Sequence, residues 1–141
     1  MRVELSNIHK TFGPVKANAG INLALESKKI YGLLGENGAG KSTLMKILSG
    51  YQPPDLGQIL VEGSPVRFTS PAQALKQGIG MVYQDPLDFP PFRVIDNYLL
   101  ARDNKFFLTH RESSRQLKEL LSRYNFDCDP DGLIETLSLG Q

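Results

Sequence analysis

The chain has 141 residues, enough for one domain, and its net charge of +1 is spread along it without a basic stripe, which argues against nucleic acid as a partner. The lone Cys128 excludes an internal disulfide framework and agrees with a reducing compartment. The apolar runs are too short to cross a membrane, so the composition predicts a soluble chain.

The N-terminal part is predicted to be rich in β-structure. Apolar and polar residues alternate over residues 2–8 and 21–25, which predicts two half-buried strands that form an antiparallel pair. The apolar run 30–34 predicts a buried strand. Residues 58–61 and 66–68 predict a short hairpin, and the compact apolar run 79–83 predicts a second buried strand.

A glycine-rich stretch follows the run 30–34 and leads into a helix. Its pattern, G-x-x-x-x-G-K-[ST], between a strand and a helix predicts a phosphate-binding loop. The residues concerned are Gly35, Glu36, Asn37, Gly38, Ala39, Gly40, Lys41, Ser42 and Thr43. The glycines let backbone N–H groups converge on an anion, Lys41 would reach the outer phosphates, and the Ser42 hydroxyl would bind Mg²⁺. A strand-to-helix turn that binds nothing would explain the glycines but not the Lys-Ser-Thr triplet.

Helix signals mark the remaining elements. The first helix is predicted to end at Ser49 and Gly50, and the second to begin at Ser70 and Pro71 and to end at Gly78. Prolines and phenylalanines from residue 86 onward predict an irregular boundary. Beyond it, residues 94–102 and a stretch opening at Thr109 predict two helices, the latter with these residues at core spacing: Leu117, Leu120, Leu121 and Tyr124.

Three motifs in this order resemble the nucleotide-binding subunit of ABC transporters. The first is the phosphate loop; the second is Gln84 after the run 79–83, which is similar to the family's Q-loop. The third is the ending Leu-Ser-Leu-Gly-Gln, which is similar to the signature Leu-Ser-Gly-Gly-Gln with Leu139 in place of the first glycine. Within the family the chain looks most like importers of simple sugars and nucleosides.

The resemblance implies an α/β fold: a P-loop NTPase core of the ABC ATPase type, with N-terminal antiparallel strands and the start of a helical subdomain. Residues 1–85 would be the ATP-binding core portion and residues 86–141 the helical subdomain ending in the signature. The family's Mg²⁺-binding Asp, catalytic Glu and switch His would follow the signature. We therefore expect an incomplete fold, an N-terminal fragment with no catalytic residue, inactive alone although its parent hydrolyses ATP.

The resemblance also implies the site. ATP would contact the phosphate loop, Phe12 through adenine stacking, and Gln84, which would join Ser42 in holding Mg²⁺. The partner subunit's ATP would contact Ser138, Leu139, Gly140 and Gln141. On the residues alone, Phe12 is equally consistent with filling a local core, Gln84 with an ordinary turn residue, and Ser138 with a helix cap.

The implied function is the ATP-binding subunit of an importer, peripheral on the cytoplasmic face of the membrane. Its partners would be integral-membrane permease subunits, a second nucleotide-binding domain and, indirectly, an extracytoplasmic solute-binding protein. Two alternatives stay open: a non-catalytic nucleotide-binding module, and a soluble ABC-type ATPase acting on nucleic acid or the ribosome. His9 and His110 lack ligand-spaced neighbours and predict surface side chains.

Overall fold

The computed structural model describes residues 1–83, 88–100 and 110–138. The chain divides into two compact units, Met1–Val82 and Tyr83–Gln141. Among the described residues, no helix is long and apolar enough to cross a membrane. The proposed functional division at residue 85 stays a prediction.

A four-stranded antiparallel sheet forms the frame of the first unit. Its strands are β1 (Val3–Phe12), β2 (Val15–Leu25), β3 (Leu56–Val61) and β4 (Ser64–Val66), in the spatial order β2-β1-β3-β4. The β1–β2 pair confirms the predicted N-terminal hairpin, although both strands are longer than their alternating patterns indicated. The β3–β4 hairpin is confirmed as well, with Phe68 buried just beyond its end.

Two helices complete the first unit. Helix α1 (Lys41–Leu48) packs Leu44, Ile47 and Leu48 into one core with β1 and β3, because these residues share one helical face. Helix α2 is Pro71–Lys76, with proline at its first position as predicted. Ser70 is the N-cap residue, in agreement with the predicted start, but its side chain makes no cap bond; the Thr69 N–H donates to Gln73 Oε1 at 2.9 Å.

Two predicted strands are wrong. Residues 30–34 and 79–83 form no strand, and three of their side chains are almost fully exposed: Ile30 at 102%, Leu34 at 92% and Val82 at 96%. A strand exists only when a neighbouring strand accepts and donates its backbone hydrogen bonds, and neither segment has such a neighbour in the described ranges. An apolar composition was therefore not sufficient to predict a strand at residues 30–34 or 79–83.

The second unit contains helices α3 (Val94–Leu100) and α4 (His110–Arg123) and a 3₁₀ turn at Ile134–Thr136. Ile95 and Leu117 are buried, but Leu120 and Tyr124 are exposed, so the predicted apolar face of α4 is only partly confirmed. Thr109, the predicted start of that helix, lies outside the described residues. Backbone bonds tie the segment before α3 to the 3₁₀ turn: Val94 N–H donates to Gly132 O and Ile134 N–H to Phe92 O, each at 3.0 Å.

Candidate functional site

The loop that precedes α1 has a run of free backbone donors. Within it, only Ala39 donates its N–H, to Glu36 O at 3.1 Å. No side chain caps α1. Among residues 38–43, five N–H groups therefore have no acceptor in the described part of the chain: those of Gly38, Gly40, Lys41, Ser42 and Thr43. Grouped donors at a helix N-terminus constitute an anion-binding site.

Two glycines give the loop its shape. Gly38 and Gly40 have φ values of 85° and 84°, in the left-handed region that other residues enter at a cost. A Cβ at Gly40 would also collide with the Ala17 carbonyl oxygen of β2, whereas a Cβ at Gly38 would meet nothing within 4 Å. The loop is thus exposed at Gly38 and pressed against the hairpin at Gly40.

Lys41 adds positive charge to these donors. Its Nζ donates to Gly35 O at 2.7 Å and to Glu36 O at 2.8 Å, so the ammonium lies over the loop. None of the ion pairs among described residues includes Lys41, and the first turn of α1 contains no acidic residue. An uncompensated cation at the positive end of a helix attracts an anion.

Ser42 and Phe12 are both accessible side chains of the first unit. Ser42 is exposed in the first turn of α1, beside the free N–H groups. Phe12 ends β1 and pairs with Val15, and 48% of it is exposed, with Lys10 Nζ 5.8 Å from the ring centre. The ring is therefore not filling a buried core. Its contact with adenine stays a prediction.

Asn18 belongs to this site although no sequence pattern indicated it. It lies on β2, is 5% exposed, and its Nδ2 donates to Gly40 O at 3.2 Å. The sequence shows only a polar residue between two alanines of a strand. Its contact depends on how closely β2 approaches α1.

The other predicted site residues lie at the end of the described ranges or outside them. Ser138 is the last described residue of the second unit. The remaining predicted residues, Gln84, Leu139, Gly140 and Gln141, lie outside the described residues. Within the described ranges, no group of three His, Cys, Asp or Glu side chains could hold a metal ion.

Three ionisable side chains outside the loop have ordinary surroundings. His9 Nε2 lies 3.0 Å from Asn7 Oδ1, a hydrogen bond within β1. Burial, followed by the charges of Asp129 and Asp127, raises the pKa of the Cys128 thiol, which makes it a poor nucleophile. Arg115 of α4 pairs with Glu112 at 2.7 Å and with Glu119 at 3.8 Å, as expected for a solvated charged face.

Comparison with known proteins identifies the class to which this fold and loop belong. A family model described as ABC transporter matches residues 19–141. The chain belongs to the ABC transporter family, which confirms the resemblance carried by its motifs. A solved structure described as the ADP conformation of MJ1267, an ATP-binding cassette of an ABC transporter, shares the fold with a TM-score of 0.79 at 23% identity, covering 99% of this chain and 60% of that one.

Two relatives are more similar in sequence. The chain is 45% identical to the ribose import ATP-binding protein RbsA of Rhodopirellula baltica, covering 98% of this chain and 28% of that protein. It is 41% identical to the xylose/arabinose import ATP-binding protein XylG of Sulfolobus acidocaldarius, covering 99% of this chain and 57% of that protein. The chain thus spans well under two thirds of the length of either relative.

Proposed function

We propose that the chain is the ATP-binding portion of a subunit that energises import of a sugar through an ABC transporter. The observation that carries the proposal is the set of five N–H groups from Gly38 to Thr43 that have no acceptor among the described residues, on the same loop whose carbonyls hold the Lys41 ammonium. Polyphosphate is the ligand that matches this arrangement, because each oxygen can accept from several N–H groups at once. The ribose and xylose/arabinose relatives favour a pentose as the transported substrate.

Different residues of the first unit would bind different parts of the nucleotide. The loop N–H groups from Gly38 to Thr43 would hold phosphate oxygens. Lys41 would turn one donor toward the outer phosphates while it keeps its bonds to the loop carbonyls. Phe12 would stack on adenine through its exposed face.

The side chains near the loop could hold Mg²⁺ only together with water and phosphate oxygens. Mg²⁺ prefers six oxygen ligands and in nucleotide sites keeps waters and phosphate oxygens around one or two protein ligands. The exposed Ser42 hydroxyl fits that demand, and the described residues offer no carboxylate cluster that would hold the ion by itself. Bound there with Gln84 as a second ligand, Mg²⁺ would neutralise phosphate charge.

The remaining predicted residues suggest how binding would be used. We propose that Ser138, Leu139, Gly140 and Gln141 contact ATP held by a second nucleotide-binding domain. Closure of the two domains on ATP would then move permease subunits at the inner face of the membrane, which receive sugar from an extracytoplasmic solute-binding protein. Hydrolysis would belong to the whole protein, because it needs a residue that orients water in addition to the phosphate loop.

Titration calorimetry of the chain with MgATP tests the nucleotide site. Lys41→Ala should abolish tight binding, because it removes the ammonium that lies over the loop. Lys46→Ala is the matched control: it removes the same charge from the same helix, where Lys46 Nζ lies 5.4 Å from the Tyr51 ring centre instead. Equal affinity of Lys41→Ala and the unmodified chain would overturn the proposal.

A further inference from the structure

Asn18 is a buried amide that makes one hydrogen bond through its nitrogen and none through its oxygen among the described residues. The Nδ2 group donates to Gly40 O at 3.2 Å, and Oδ1 is buried with no partner among the described residues. The orientation of the amide follows from its neighbour, since a carbonyl oxygen accepts from Nδ2 and repels Oδ1.

The hydrogen bond from Asn18 is made to Gly40, the residue at which the loop turns into helix α1. Gly40 is the N-cap of α1, with φ 84° and ψ 6°, and its carbonyl also accepts the Leu44 N–H at 2.9 Å. Asn18 and Leu44 therefore hold the Gly40 peptide from two sides. A rotation of that peptide would redirect the free N–H groups on either side of it.

Asparagine is an unfavourable residue for the interior of a strand. Its β-propensity is low, and a buried carbonyl without a donor loses its hydration with no compensation. A leucine has the same branched shape and contains no buried carbonyl that would lose its hydration. The bond to Gly40 is the one hydrogen bond that the Asn18 side chain makes in the described part of the chain.

We propose that Asn18 is a positioning residue for the phosphate loop, which holds the left-handed turn at Gly40 so that the loop N–H groups stay directed at bound phosphate. The inference rests on the proposed nucleotide binding. Asn18 itself does not touch the nucleotide; it acts through the Gly40 peptide.

The test separates stability from affinity. In Asn18→Leu the melting temperature without nucleotide should stay equal or rise, while the Kd for MgATP rises about three- to tenfold, the range for loss of one hydrogen bond. Asn18→Asp should also raise the Kd, because a carboxylate cannot donate to Gly40 O. In both variants, amide hydrogen exchange at Leu44 should accelerate without nucleotide.

The matched control is Asn22→Asp on the same strand. Asn22 is exposed. Its Nδ2 donates to Gly20 O at 3.1 Å and its Oδ1 accepts the Asn7 N–H at 2.8 Å, so its hydrogen bonds among the described residues stay within the hairpin and the Kd of Asn22→Asp should be unchanged. Calorimetric stoichiometry reports the folded fraction, so a variant that folds poorly lowers the stoichiometry without raising the Kd. An unchanged Kd in both Asn18 variants, with Lys41→Ala still abolishing binding, would overturn this inference alone. Absence of MgATP binding by the unmodified chain would overturn the nucleotide site and this inference together.

Discussion

The contact between Gly40 and β2 makes Gly40→Ala a strongly destabilising substitution. Two costs add. Placing alanine at φ 84° costs about 1–2 kcal/mol, and relieving the collision of its Cβ with the Ala17 carbonyl adds the cost of overpacking, about 1–3 kcal/mol. We expect a loss of about 3–4 kcal/mol in the free energy of unfolding, the middle of the summed range.

Gly38→Ala isolates the conformational part of that loss. Gly38 has nearly the same φ, 85°, but a Cβ placed there would have no other atom within 4 Å. Its substitution should cost only about 1–2 kcal/mol. Urea denaturation without nucleotide measures both values, and the difference between the two variants reports the contact of Gly40 with the strand.

The refuting result is specific. Equal losses in the two variants would show that the loop does not press against β2 in solution, and that backbone conformation alone makes glycine necessary at Gly40. The inference about Asn18 would lose its structural basis as well, since Asn18 adjoins Ala17 and makes its bond across the same contact.

Further predictions concern other groups of the first unit. Phe12→Ala should cost about 1 kcal/mol in calorimetric affinity for ATP and as much for GTP, because stacking requires only a ring face; a loss confined to ATP would contradict stacking. Ser42→Ala should weaken nucleotide binding more with Mg²⁺ than without it, and equal losses would exclude Ser42 as a ligand. The hydrogen bond from Lys10, followed by the Thr11 N–H, lowers the pKa of Asp55 from 3.8. A carboxyl with a depressed pKa stabilises the fold above its unfolded-state pKa, so Asp55→Asn should melt earlier at neutral pH. That difference should vanish as the pH falls below 3.8 through the folded-state pKa, and a difference that persists in stronger acid would refute the ionic origin.

Much of the site was predictable because its parts are contiguous. The glycines, Lys41 and Ser42 lie within one short stretch, so a local pattern contains both the turn and the helix start that aim the N–H groups. The same holds for the ends of the first two helices, where Gly50 and Gly78 adopt φ values of 72° and 81° as glycine stops require. Alternation likewise identified the β1–β2 pair, since each strand has its partner a short turn away.

Contacts between residues that are distant in the sequence could be read only from the tertiary structure. Residues 30–34 and 79–83 have the composition of buried strands, yet a strand forms only between partners, and composition does not reveal whether a partner is present. Asn18 shows the same limit within the site: its bond crosses 22 positions of sequence and depends on the approach of β2 to the start of α1. By itself the sequence predicted a phosphate loop in this protein, because the residues of that pattern are contiguous. Packing determined what holds the loop in shape, because the groups that do so meet only after the sheet and helix have come together.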